Sequence, residues 1–95
     1  MTDIAAQHFD IQLEAEIVTE RNSGWACVVV PDSKQIFGTG KAVKISGTVD
    51  GLAFDATMLP VGGGLHMIPI KAATRKSLGK GIGDRVHVEI TQRRS

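Results

Sequence analysis

His66 is the side chain in this sequence best suited to chemistry. It follows Gly62-Gly63-Gly64 and lies in the apolar run Leu65 to Ile70. At the mouth of a folded unit, an imidazole titrates near neutral pH and serves as an acid or a base. The competing role is a ring that spends a nitrogen on a nearby backbone carbonyl. Lys71 and Arg75 come next, at i and i+4, so on a helix they share one face. Two like charges there repel, which suits an anionic partner; the competing role is a solvated helix paired with an acidic strand. Gly63 and Gly64 add backbone amides beside His66, and Trp25 is the lone tryptophan. Gly63, Gly64, His66, Lys71, Arg75 and Trp25 are therefore the candidate ligand-binding set. Lys71, Arg75, Lys76, Lys80 and Arg85 form a broader basic set for an anion or a nucleic acid.

Other motifs carry less. Gly38-Thr39-Gly40 and Gly81-Ile82-Gly83 look like phosphate loops. A dinucleotide fingerprint needs a strand before the glycines and a helix after them. Here the order is reversed, and the glycines turn a helix into a strand. Cys27 has apolar neighbours on both sides and reads as a small core residue, not a nucleophile. His8, His66 and His87 lack zinc spacing, and a single cysteine adds no ligand set. The expectation is no metal and no cofactor. No serine sits in a nucleophile elbow and no carboxylates pair in a recognisable spacing.

Those residues have to be positioned by a small unit. The chain has 95 residues, enough for one domain. Hydrophobic residues make up 42% and aromatics only 4%, so the core rests on Val, Ile, Leu, Ala and Met. Net charge is +1, which argues against wholesale binding to nucleic acid or membrane. The charges are unevenly spread, acidic from Asp3 to Glu20 and basic from Lys71 to Arg94. Two end strands lying side by side would pair them. One cysteine, no apolar run of membrane-spanning length and no signal-like start together point to a cytoplasmic protein.

Periodicity supplies the elements. Phe9, Ile11, Leu13, Ala15 and Ile17 alternate with polar residues, as a half-buried strand does. Arg21 to Gly24 is a turn, and Trp25 to Val30 is a strand apolar on both parities. Pro31-Asp32-Ser33 breaks it and starts a short helix through Phe37. Val43 to Val49 and Leu52 to Met58 flank Asp50-Gly51, a tight hairpin signal. Pro60 to Gly64 reads as a flexible loop, Leu65 to Ile70 as a strand, and Lys71 to Leu78 as a helix stopped by Gly79. Val86, Val88 and Ile90 mark the last strand. The phrase from Gly38 to Ile45 returns from Gly81 to Val88, and strand, strand, helix, strand occurs twice. An internal repeat of this kind points to two similar halves wrapped around one core. Closing six short strands into a small barrel removes their exposed edges.

The ordered set Phe9, Trp25, Val28, Pro31, Gly47-Thr48-Val49-Asp50-Gly51, Phe54, Pro60, Gly63, Gly64, His66, Lys71, Arg75, Gly79, Gly83, Asp84 and Val86 resembles a bacterial family. That family is the domain of unknown function nineteen-oh-five, found alone or joined to YdeI/OmpD-associated segments. The resemblance implies a closed six-stranded barrel of double-psi, cradle-loop type and brings no established activity. Separately, Met67 to Lys71, Arg75, Leu78-Gly79 and Gly83 to Val86 are similar to the AbrB-type swapped-hairpin module of DNA-binding regulators. Such modules are about half this length and dimerise, whereas here both halves lie in one chain.

The sequence thus predicts a mainly β protein: a closed six-stranded barrel with two short helices and an internal pseudo-twofold. Residues 1–8 form a lead-in and residues 9–92 one domain. The leading functional expectation is a monomeric accessory module that binds a protein or small ligand, without catalysis and away from membranes. A nucleic-acid or anion-binding module and an enzyme using His66 as acid or base are the two alternatives.

Overall fold

Period-two alternation does become strand structure, although one predicted strand is split. The computed structural model describes residues 7–95, with side chains from Asp10 onward. The predicted lead-in over residues 1–6 lies outside the described residues, and the backbone of Gln7 and His8 already belongs to a strand. That strand, β1 (Gln7–Glu16), turns Asp10, Gln12, Glu14 and Glu16 to solvent. Ile17 interrupts it, and β2 (Val18–Thr19) follows. Then come β3 (Ala26–Val30), α1 (Ser33–Phe37), β4 (Val43–Val49), β5 (Leu52–Gly62), β6 (Leu65–Pro69), α2 (Ala72–Leu78) and β7 (Arg85–Arg93).

The strands form one sheet in the order β1-β7-β4-β5-β6-β3-β2, and every ladder is antiparallel. The protein is thus mainly β with two short helices, and its ladders trace a seven-stranded half-barrel where six strands were expected. The extra strand is a change of partner. β1 pairs with β7, whereas β2 pairs with β3. At the break, Ile17 N–H donates to the Asp84 carbonyl at 2.8 Å, and Gly83 N–H donates to the Ile17 carbonyl at 2.8 Å. β5 changes partner likewise: Met58 pairs with Val43 of β4, and Leu59 with Met67 of β6. Ile17 and Met58, at the two changes of partner, are both fully buried.

The core is aliphatic. Val28, Val30, Val43, Ile45, Val49, Ile68, Val86, Val88 and Ile90 pack with Ile17, Met58 and Phe37. Burying such side chains is the main favourable term in folding, at roughly 1.5–3 kcal/mol each. Cys27 lies in this interior as expected, and burial pushes its thiol up, with the Glu20 charge adding to the shift.

Glycines set the turns. Asp50 and Gly51 both have positive φ, and Val49 pairs with Leu52, which makes a two-residue hairpin of the primed type. The segment read as a flexible loop from Pro60 is mostly strand: β5 runs on to Gly62, and only Gly63 and Gly64 form the turn. The repeated Gly-x-Gly phrase is out of step with the helix ends. Gly38 caps α1, but Gly79 caps α2, so the connection into β7 is one residue longer than that into β4.

Candidate functional site

Ile70 is the hub of the one substantial groove among the described residues. Its N–H donates to the Ala26 carbonyl at 2.9 Å, which ties the end of β6 to the start of β3, one residue from Trp25. Its carbonyl accepts Nε–H of Arg75 at 3.2 Å. Lys71 follows directly and forms the N-cap of α2 with extended backbone, and its carbonyl accepts Arg75 N–H at 3.0 Å. One residue thereby ties together the segments that carry Trp25, Lys71 and Arg75. A cavity of about 730 Å³ opens between them and the outer face of β5, lined also by Asp55, Leu59 and Arg94.

Trp25 is 51% exposed and lies at the rim of the groove, outside the core. The turn before it is rigid: Glu20 N–H donates to the Trp25 carbonyl at 2.8 Å, and Trp25 N–H donates to Ser23 Oγ at 3.1 Å. The Glu20 carboxylate accepts from the Asn22 and Ser23 amides, which holds it below the usual carboxylate range. Arg94 arrives from the far end of the chain, because its N–H donates to the Lys44 carbonyl at 2.7 Å beyond β7. Lys71, Arg75 and Arg94 have no carboxylate within 4 Å among the described residues. Asp55, the one acidic residue lining the cavity, instead accepts a hydrogen bond from Ser46 Oγ at 2.7 Å.

Of the six predicted ligand-binding residues, Trp25, Lys71 and Arg75 meet at this cavity, and Gly63, Gly64 and His66 do not line it. His66 is fully buried on β6, with Val30 and Pro60 as its cross-strand neighbours. Its Nε2 lies 2.7 Å from the Lys41 carbonyl, which only accepts, so Nε2 carries the proton. Its Nδ1 then accepts from Ser33 Oγ at 2.7 Å. Gly64 belongs to the same framework, since its carbonyl accepts Lys34 N–H at 3.0 Å. The backbone-bonded role of His66 holds, and neither ring nitrogen is left to meet a substrate.

The broader basic set is dispersed. Lys80 pairs with Asp50 at 2.6 Å and donates to the Arg85 carbonyl at 2.7 Å. Arg85 donates to the Glu14 carbonyl at 3.4 Å, and neither Lys80, Arg85 nor Lys76 lines the cavity. The first and last strands do lie side by side, with Glu16 opposite Arg85 and Glu14 Oε1 3.8 Å from His87 Nδ1. The α2 cations Arg75 and Lys76 take no part in that pairing. Arg94, Asp55 and Leu59 were missed: only the ladders place them here. No three or more His, Cys, Asp or Glu side chains converge among the described residues. No described helix is long and apolar enough to cross a membrane.

Residues 13–90 match the family model described as Domain of unknown function (DUF1905). No curated protein matches the chain. The AbrB-type likeness of the second half has no counterpart in the match, which runs through both halves. With most of its length covered, from Leu13 to Ile90, the chain belongs to the DUF1905 family of domains of unknown function.

Proposed function

We propose that this chain is a small binding module without catalysis of its own, and that its ligand lies in the groove beside Trp25. The observation that carries this reading is a half-exposed tryptophan next to three cations with no carboxylate within 4 Å among the described residues. Ligand sites are concave and largely apolar, with a few converging charged or polar groups, and this lining has that form. A cavity of about 730 Å³ is within the usual size of small-molecule sites, roughly 300–1,000 Å³.

We infer with it a closed six-stranded barrel. Counting β1 and β2 as one bent strand gives six, and the partner changes at Ile17 and Met58 then join the ends of the sheet into a closed barrel. Exchanging β1/β2 with β5, β3 with β6, and β4 with β7 leaves the strand order unchanged, which supports a pseudo-twofold. A closed barrel suits a binding role, because it is a stiff frame with its variable surface at the strand ends.

Amide chemical-shift mapping with a fragment collection tests the site. The expected result is perturbation centred on Trp25, Ile70, Lys71 and Arg75. Fragments that bind but consistently shift resonances elsewhere would reject it.

A further inference from the structure

We infer that the groove takes a small molecule that combines an aromatic ring with a phosphate monoester, joined directly or through a sugar. The inference rests on the groove reading above and adds the ligand's chemical class. Charge sets the anionic part. Lys71, Arg75 and Arg94 bring three positive charges to the lining, and Asp55 brings one negative charge. The surplus of two matches a phosphate monoester, which carries about −1.5 to −2 at neutral pH. Hydrogen-bonding capacity agrees. The Lys71 and Arg94 side chains make no hydrogen bond among the described residues, and Arg75 commits only Nε, to Ile70. That leaves both Nη groups of a guanidinium already oriented by the backbone, the fork geometry that binds phosphate in pairs.

Trp25 sets the other part. Its indole is exposed on the same lining as Leu59, Pro69 and Ala56, so a flat apolar face is offered beside the cations. An aromatic ring stacked there replaces water on indole surface that the fold itself leaves uncovered. Of the neighbouring cations in α2 and the approach to β7, Lys80 and Arg85 are engaged elsewhere, and Lys76 does not line the groove. A short cationic pocket with one stacking face fits a single ring and its phosphate better than a nucleic-acid strand, which needs an extended track.

Trp25 is the sole tryptophan, so its fluorescence reports on this groove alone. The probes are phenyl phosphate and adenosine 5′-monophosphate, which distinguish a simple aryl phosphate from a nucleotide. Phenol, adenosine and inorganic phosphate are the part-ligands, and a 12-nucleotide single strand is the polymer. The expected result is saturable quenching by at least one of the two probes, at least tenfold tighter than by its parts. Lys71→Ala with Arg94→Ala should weaken it at least tenfold, with an unchanged circular dichroism spectrum. Adenosine or phenol binding as well as its phosphate ester would overturn the inference, as would a double variant that binds normally. Binding of the single strand well above both probes would overturn it in favour of nucleic acid. Fragments that map to the groove while both probes fail would overturn the ligand class and leave the groove reading standing. Fragments that map elsewhere would remove both.

Discussion

Ser33 and His66, from different halves of the chain, form a buried hydrogen-bonded pair with Oγ and Nδ1 2.7 Å apart. Ser33 opens α1, His66 sits on β6, and the imidazole continues to the Lys41 carbonyl beyond α1. One ring therefore ties the start of the first helix and the loop that follows it to β6.

Removing either partner leaves a buried polar group unsatisfied. Ser33→Ala deprives Nδ1 of its donor and should cost about 1–2 kcal/mol. His66→Ala also opens a cavity and strands the Lys41 carbonyl, so about 3 kcal/mol is expected. Urea unfolding with the Trp25 signal measures both. Losses under about 0.5 kcal/mol in both variants would contradict the structural role.

The strand pattern was legible because alternation is local: β1, β4 and β7 each show one buried face in sequence. The hairpin at Asp50-Gly51 was equally plain, since both residues tolerate positive φ. The alternation inverts at the split, with Val18 apolar and Thr19 polar after Ile17, but nothing local says that the partner strand changes there. The run from Pro60 was misread because Pro and Gly are usual loop residues. Here Pro60 faces His66 across an irregular ladder at the end of β5, where a missing N–H is tolerated. Half of the candidate site was visible from the i, i+4 cations and the lone tryptophan. His66 was drawn in by its neighbours Gly63 and Gly64, and nothing local signals that Ser33 waits for it. Arg94 reaches the groove only through the Lys44 contact, a pairing no local pattern encodes.

Gly47 should be the least replaceable glycine. A Cβ there would lie 1.8 Å from the Glu89 carbonyl oxygen and 2.9 Å from its carbon, where β4 and β7 shift register. The obstacle is backbone, so relief requires parting the two strands. Gly47→Ala should cost about 3 kcal/mol or prevent folding. Gly81→Ala is the control, since nothing lies within 4 Å of its added Cβ and its φ is unexceptional. Thermal unfolding of the two variants should separate them clearly; equal midpoints would mean that β4 and β7 are not this close.

Asp50 should make stability depend on acid pH. Its Oδ1 accepts the His87 amide at 2.7 Å and its Oδ2 accepts Lys80 Nζ at 2.6 Å. The amide bond foremost, then the lysine, hold the carboxyl below its ordinary value of 3.8. A depressed native pKa means that the unfolded chain takes up the proton first. The stabilisation is therefore complete above 3.8 and is lost as pH falls below it. Asp50→Asn keeps the left-handed turn accessible while removing the charge. The variant should be less stable by about 1 kcal/mol at pH 7, discounted for an exposed pair. The gap should narrow as pH drops beneath 3.8. Parallel urea titrations at both ends of that range decide it, and a gap independent of pH would count against the carboxylate.

The groove cations should be a stability cost rather than a gain. Lys71, Arg75 and Arg94 share one lining with no carboxylate within 4 Å among the described residues, so they repel one another in the free protein. Arg94→Gln removes one repulsive partner and breaks no side-chain hydrogen bond, since the link to Lys44 is made by the backbone. Its stability should match the parent or exceed it by up to about 0.5 kcal/mol at low salt, and the difference should fade as salt screens the charges. Lys80→Gln should behave in the opposite way, because it breaks the bonds to Asp50 and the Arg85 carbonyl. Two lysine and arginine positions with opposite signs would separate charges kept for the fold from charges kept for a ligand. Destabilisation by Arg94→Gln as large as by Lys80→Gln would place Arg94 with the structural group.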